Sequence, residues 1–182
     1  MEFTKLAETR QSTRKFTGAP VDRDQLNRCL KAAWLAPSAN NSQPWSFIVV
    51  DEPKIKEQVT RETYSQLISF NKFATTAGAI VVVVIEKPKL ISQIGSTIKK
   101  KELPLIDIGI AAEHFCLQAT EEGLGTCILG WFNEAPIKSI LHIPNSRTIG
   151  LLIAVGHPAD STIREKKRKP WDQFCAFNQY NK

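Results

Sequence analysis

The segment 103–132 constrains the fold more than any other part of the chain, because it joins a long apolar run to several glycines. Apolar residues recur here at helical spacing, which predicts a helix over residues 106–122. They cover most of its circumference, so we expect most of its faces to be buried. Gly123 is placed to end the helix with a positive φ. A short core strand over residues 126–129 is expected next, with Gly130 at its end.

A glycine at the end of a core strand has a functional and a structural interpretation. With no Cβ, Gly130 lets a flat ligand lie against backbone N–H groups. The same pattern also fits a core helix that is followed by a tight turn and binds no ligand. Both interpretations stay open on this stretch alone.

Composition indicates one soluble globular domain over residues 1–182, with 42% hydrophobic and 23% charged residues. The net charge of +6 suits anionic ligands. The N-terminal residues carry no apolar run of signal-peptide length, and no run is long enough to span a membrane, so we expect a cytoplasmic protein. Four cysteines without a C-x-x-C pair indicate reduced thiols and no zinc site.

Helices and strands alternate along the chain around one small sheet. The β-branched run over residues 79–85 lacks polar alternation, which predicts a strand buried on both faces. Further strands are expected over residues 46–50 and 148–155. Helices are expected over residues 3–8, after a cap at Asp22 or Asp24, near Pro53, and over residues 135–141. Residues 87–102 lack a strong pattern and are interpreted as an insertion, and residues 171–182 as an aromatic tail.

Four segments carry groups suited to ligand binding. Arg10, Ser12 and Arg14 offer many hydrogen-bond donors within five residues, which suits a phosphate, although such a pattern also arises by chance on a solvated loop. Residues 36–45 form a turn-rich loop with many amides and hydroxyls, which also fits an ordinary connection. The third segment is the backbone at residues 129–130. The fourth is the basic run 166–169, which also fits a solvated surface or a nucleic-acid patch.

Several other classes of site lack their sequence signature. The glycines at 123 and 125 end a helix, whereas a dinucleotide-binding fingerprint begins one. There is no Walker loop and no G-x-S-x-G. The three histidines are scattered without metal-ligand spacing.

Taken together, these segments resemble the nitroreductase family of flavoproteins. The similarity rests on R-x-S-x-R-x-F from Arg10, A-P-S-x-x-N-x-Q-P-W from Ala36, G-L-G-T-C-x-L-G from Gly123, and a basic sequence ending at Pro170. They occur in the family's order over almost the whole chain. The resemblance implies an α+β fold with a central, mainly antiparallel sheet flanked by helices. It also implies FMN bound at the interface of a homodimer that completes the domain, with NADH or NADPH as reductant.

The resemblance also implies a role for individual residues. Arg10, Gln11, Ser12 and Arg14 would hold the phosphate and ribityl end. The partner subunit would wall the flavin ring with the loop residues Pro37, Ser38, Ala39 and Asn41. The remaining cofactor-binding positions are Asn71 at the pyrimidine edge, Leu129 and Gly130 near N5, and Lys166 and Arg168 on the phosphate or pyrimidine side. Residues 87–102 stand where the family places a substrate-gating insertion.

The sequence therefore predicts an FMN-dependent oxidoreductase that takes hydride from NAD(P)H and reduces a nitroaromatic, quinone or enone by a ping-pong mechanism. FMN carries the chemistry, so we expect no catalytic side chain and no metal. A dehalogenating or flavin-destroying branch of the family is an alternative. A basic nucleic-acid or anion-binding domain without redox activity is a second alternative. Against it, the basic residues are not interleaved with the aromatic residues on which the bases of single-stranded nucleic acid stack. The expected partners are a second copy of the chain and a small-molecule electron acceptor. We expect neither a nucleic acid nor a membrane as a partner.

Overall fold

The computed structural model describes residues 1–86 and 102–180. Its helices are α1 (Phe3–Thr9), α2 (Arg23–Trp34), α3 (Pro53–Arg61), α4 (Leu103–Glu121), α5 (Glu134–Ile140) and α6 (Trp171–Phe174). Its strands are β1 (Trp45–Val50), β2 (Ala79–Ile85), β3 (Gly125–Leu129) and β4 (Thr148–Gly156). Short 3-10 turns lie at Ala39–Asn41 and Lys72–Thr76. The predicted elements that fall in the described ranges are confirmed, with ends shifted by a few residues.

The strands form one antiparallel sheet in the order β1-β2-β4-β3. Strand β2 is buried from Ala79 to Val84, as its β-branched run predicts. A core layer lies on each face of the sheet. Val82 and Leu152 belong to the layer on the face that α5 covers, and Val81 and Val83 belong to the layer beneath α2 and α4. The α+β class with a mainly antiparallel sheet flanked by helices is confirmed.

Local sequence explains where several helices begin and end. Asp22 caps α2 by accepting a hydrogen bond from the Asp24 N–H at 3.0 Å. Pro53 lies in the first turn of α3, where its missing N–H is not needed. Gly123 takes φ 75° just past α4, the left-handed conformation that the sequence predicts there. The left-handed Gly123 thereby sets the entry into β3.

Helix α4 begins three residues before the predicted start and buries one stripe rather than most of its faces. Ile108, Ala112 and Phe115 pack on the sheet. On the opposite side Ile106 is 56% exposed. The apolar surplus that the sequence shows is therefore not covered by the chain's own sheet.

The proposed insertion at residues 87–102 lies outside the described residues apart from residue 102, so its gating role stays a prediction. None of the helices in the described ranges has the length and apolar character that a membrane crossing requires.

Candidate functional site

The N-terminal segment 10–14, in which the sequence predicts phosphate-binding residues, lies along the first half of β3. Helix α1 ends where the Arg10 N–H donates to the Leu6 carbonyl at 2.9 Å. The chain then pairs Ser12 with Thr126 in a short parallel bridge, and the Thr13 N–H donates to the Thr126 carbonyl at 2.8 Å. This pairing fixes residues 10–14 on the sheet edge beside β3.

The basic C-terminal segment is hydrogen-bonded to the same stretch. Arg164 donates from Nη2 to the Ser12 carbonyl at 2.6 Å and from Nε to Gln11 Oε1 at 3.0 Å. Gln11 in turn donates to the Thr162 carbonyl at 2.9 Å, and Lys166 Nζ donates to the Arg10 carbonyl. Two segments about 150 residues apart in sequence therefore form one unit.

These two segments enclose an open cleft of about 440 Å³ that is dominated by cations. It is lined by Arg10, Gln11, Ser12, Arg14, Arg164, Glu165, Lys166, Lys167 and Arg168. Partial burial, followed by the fields of Arg168 and Arg10, lowers the pKa of Lys166. The crowding of like charge at this cleft favours an anion.

Arg14 is the cation in this cleft whose guanidinium is available. Within residues 1–86 and 102–180 that group makes no hydrogen bond or salt bridge, and Arg14 is exposed. Among the charged groups that act on the buried Cys127 thiol, Arg14 has the largest effect. Arg14 is therefore close to β3, and its donors have no counter-anion within the described chain.

Arg10 differs from Arg14 because its guanidinium is already paired. Nε and Nη2 donate to the two carboxylate oxygens of Glu113 on α4, at 3.0 and 2.7 Å. This hydrogen bond, opposed by partial burial, raises the pKa of Arg10. Arg10 thus lines the cleft while one edge of its guanidinium is bound to the central helix.

The loop at residues 36–45 packs on α4, away from the lining of this cleft. Asp107, only 4% exposed, accepts from the Ala39 N–H at 3.1 Å. Ser38 Oγ accepts from the Gln43 N–H at 2.9 Å, and Asn40, Asn41 and Gln43 all have positive φ. Within one chain, the loop residues assigned to a flavin-binding role do not line the cleft: Pro37, Ser38, Ala39 and Asn41.

The end of β3 is an open backbone edge. Leu129 is buried, whereas Gly130 is exposed and an added Cβ there would meet no atom within 4 Å. Asn71, 6% exposed, donates from Nδ2 to the Trp131 carbonyl at 3.1 Å. Asn71 therefore lies beside the residue after Gly130, which brings these two sequence-predicted positions together.

The buried thiols are not poised as nucleophiles. Burial raises the pKa of Cys29 to about 12 and that of Cys116 to about 11, so both are protonated near neutral pH. No group of His, Cys, Asp or Glu suited to a metal ion occurs among the residues that the structure describes.

Sequence reasoning missed Arg164, Glu113 and Asp107. Arg164 lies two residues before the basic run 166–169, which was the available signal, but the cofactor-binding role was assigned to Lys166 and Arg168. Glu113 and Asp107 are acidic residues in a mostly apolar helix, a pattern that marks buried or paired carboxylates. Their partners, Arg10 and Ala39, could not be identified before the fold was known.

The fold and the sequence match known proteins over most of the chain. A solved nitroreductase family protein from Clostridium novyi NT is 33% identical, with a TM-score of 0.75, over 91% of this chain and 89% of that one. A solved FMN-dependent nitroreductase from Clostridium difficile R20291 is 25% identical, with a TM-score of 0.76, over 98% and 100%. An NADPH-dependent oxidoreductase from Staphylococcus aureus is 27% identical over 97% of this chain and 73% of its own. The model of the nitroreductase family matches residues 7–157, and the chain therefore belongs to that family.

Proposed function

We propose that this chain acts as a single-domain, FMN-dependent oxidoreductase that takes hydride from NADH or NADPH and reduces a small electrophile such as a nitroaromatic, a quinone or an enone. The observation that carries the proposal is the cationic cleft beside β3, in which the Arg14 guanidinium has no partner within the described ranges. Arginine and lysine donors without matching acceptors suit a phosphate ester.

The residues around the cleft fit FMN in chemistry and in spacing. Arg14 and Arg10 are close enough to Cys127, the middle residue of β3, to oppose the rise in the pKa of its thiol, and Gly130 lies three residues further along the chain. Three residues of extended strand span about 10 Å, a length suited to a phosphorylated ribityl chain. At the far end, the open backbone of Gly130 allows a flat ring to approach.

Each residue then has a defined task in holding the cofactor. Ser12, Arg14, Lys166 and Arg168 bind the phosphate, with Arg10 and Gln11 alongside. Leu129 and Gly130 present backbone N–H groups to the ring. Asn71 uses its amide N–H₂ on Trp131, which directs the amide oxygen to accept from a ring N–H.

Bound FMN would carry the hydride and electron transfer. The chain itself must then bind and orient the cofactor and exclude competing reactions. The protonated thiols at Cys29 and Cys116 support this division, because neither can act as a nucleophile near neutral pH. One accessible ring face admits one ligand at a time, so we infer ping-pong kinetics in which the nicotinamide leaves before the acceptor enters.

We further propose that the working form is a homodimer. Helices α1 and α4 leave an apolar groove of about 760 Å³ lined by Phe3, Leu6, Ile106, Ile110 and Leu117 among others. A twofold mate of α4 would cover this stripe. The same arrangement would carry the loop at residues 37–41 to the flavin of the other subunit. The exposed tail aromatics, such as Trp171 and Phe177, would pack on the partner.

The names of the relatives support the cofactor and the reductant. One solved relative is named as FMN-dependent and a second relative as NADPH-dependent. The choice between NADH and NADPH for this chain is open to direct measurement of the two Michaelis constants.

The test is reconstitution followed by steady-state kinetics. Apoprotein titrated with FMN should bind it, and the complex should oxidise NADH or NADPH when a nitroaromatic or a quinone is present. Double-reciprocal plots at several acceptor concentrations should be parallel. Failure to bind FMN would contradict the proposal, and intersecting lines would contradict the ping-pong order.

A further inference from the structure

The pairing between Arg10 and Glu113 connects two surfaces that are otherwise separate. Arg10 lines the cationic cleft, whereas Glu113 lies on α4 and lines the apolar groove. Both donor distances, 3.0 and 2.7 Å, are good hydrogen bonds, and both side chains are about one third exposed, at 29% and 39%. This is a two-point arrangement, which fixes the plane of the guanidinium as well as its position.

The geometry leaves part of Arg10 available. A guanidinium carries five N–H donors in a rigid fork, and Glu113 accepts from Nε and Nη2. The Nη1 side is therefore the part with which Arg10 can reach a ligand in the cleft. An unpaired arginine would lose its rotamer freedom when a phosphate binds. Arg10 is already held in one orientation by Glu113.

Glu113 also moderates the charge of the cleft. The lining holds Arg10, Arg14, Arg164, Lys166, Lys167 and Arg168 against a single carboxylate, Glu165. Glu113 is a second carboxylate close enough to oppose the effect of these cations on the pKa of Lys166. Without it, the like charges would repel one another more strongly, and Arg10 would be free to turn towards solvent.

We propose that Glu113 is a positioning residue for the phosphate cleft: it holds one edge of Arg10 so that the other edge meets an anionic phosphate ester. This inference rests on the proposed function, because FMN is the phosphate ester in question. Glu113 does not touch the ligand in this scheme and acts through Arg10. The connection also places a residue of the dimer-facing helix directly behind a ligand-binding side chain.

A double-mutant cycle on FMN affinity tests the proposal. Apoprotein forms of the wild type, Glu113→Ala, Arg10→Ala and the double variant are titrated with FMN by fluorescence quenching. In the presence of Arg10, Glu113→Ala should weaken binding by about 3- to 10-fold, the effect expected when one rotamer-rich side chain must be immobilised on binding. In the Arg10→Ala background the same change should weaken binding by less than about twofold, or tighten it, since Glu113 is then an unpaired anion near the phosphate.

Two further variants separate positioning from a general effect on the helix. Glu113→Gln keeps an acceptor for one Arg10 nitrogen and should retain part of the affinity. Glu121→Ala removes a carboxylate from the same helix at a site that pairs with the N-terminal amine, and should leave FMN affinity unchanged. Folding of each variant is checked by its thermal unfolding midpoint.

The outcomes are distinct from a failure of the proposed function. If the wild type does not bind FMN, the proposed function fails. If the wild type binds FMN but Glu113→Ala weakens binding equally with and without Arg10, Glu113 does not act through Arg10 and the inference is overturned. Tighter binding by Glu113→Ala in the wild-type background would show instead that Glu113 competes with the phosphate, which also overturns it.

Discussion

Replacing Arg14 by alanine should weaken FMN binding more selectively than replacing Arg164 or Lys166. Its guanidinium makes no hydrogen bond or salt bridge within the described residues, so its removal leaves no protein group unpaired. Arg164 and Lys166, by contrast, donate to the backbone of Ser12 and Arg10, and their loss would also disturb the cleft. The Arg14→Ala result therefore measures ligand contacts with little change to the fold.

The size of the effect follows from the kind of bond that is lost. A hydrogen bond to a charged group contributes about 1.5–3 kcal/mol, which corresponds to about a 10- to 150-fold rise in the dissociation constant. Binding should not be abolished, because Lys166 and Arg168 remain in the cleft. Titration of the apoproteins with FMN at several salt concentrations gives the dissociation constant and its dependence on salt. Arg14→Ala should also reduce that dependence.

A matched control removes a guanidinium elsewhere. Arg23 on α2 is 79% exposed and pairs with Asp51, so Arg23→Ala lowers the net charge equally without touching the cleft. It should change FMN affinity by less than about twofold at moderate salt. The reasoning is refuted if Arg14→Ala binds FMN as the wild type does, or if the two variants weaken binding equally.

Three further predictions concern the dimer, the loop and the chemistry. Ile106→Glu in the α4 groove should yield a monomer with reduced FMN occupancy in sedimentation velocity, whereas Leu67→Glu, at a site 96% exposed, should remain dimeric; a fully loaded dimer of Ile106→Glu would count against the shared site. Asp107→Ala, which removes the acceptor for the Ala39 N–H, should lower the free energy of unfolding by about 1–3 kcal/mol, and Asp107→Asn should recover most of it; equal losses in denaturant titrations would exclude an anchoring role. Alanine at His114, His142 or His157, and serine at each cysteine, should keep most of the activity per bound flavin, since loss of a general acid or base typically costs 10²–10⁴-fold; a loss of that size with FMN bound would assign chemistry to the side chain.

Elements whose cause is local could be predicted from the sequence. The β-branched run of β2, the Asp22 cap of α2 and the left-handed Gly123 each depend on residues within a few positions, so pattern and propensity suffice. The α4 helix and β3 were predicted for the same reason. The resemblance brought together Arg10, Ser12, Arg14, Lys166 and Arg168, which the fold places around one cleft.

Contacts between distant segments could not be predicted. The pairing of Arg10 with Glu113 joins residues 103 positions apart, and no local pattern states which carboxylate meets which cation. Asp107 likewise looks like an ordinary polar position in α4, yet it is buried against Ala39. The sequence predicts that most faces of α4 are buried, and within one chain only the stripe that packs on the sheet is covered.

The central claim, that the cleft beside β3 holds FMN, is tested most directly by measuring flavin in the purified protein. The visible absorbance spectrum should show the flavin bands. Denaturation should release FMN, identified by its mass, in an amount stoichiometric with the chain. Apoprotein should regain the same spectrum when FMN is added and excess ligand is removed. A colourless protein that takes up no FMN under these conditions would contradict the account.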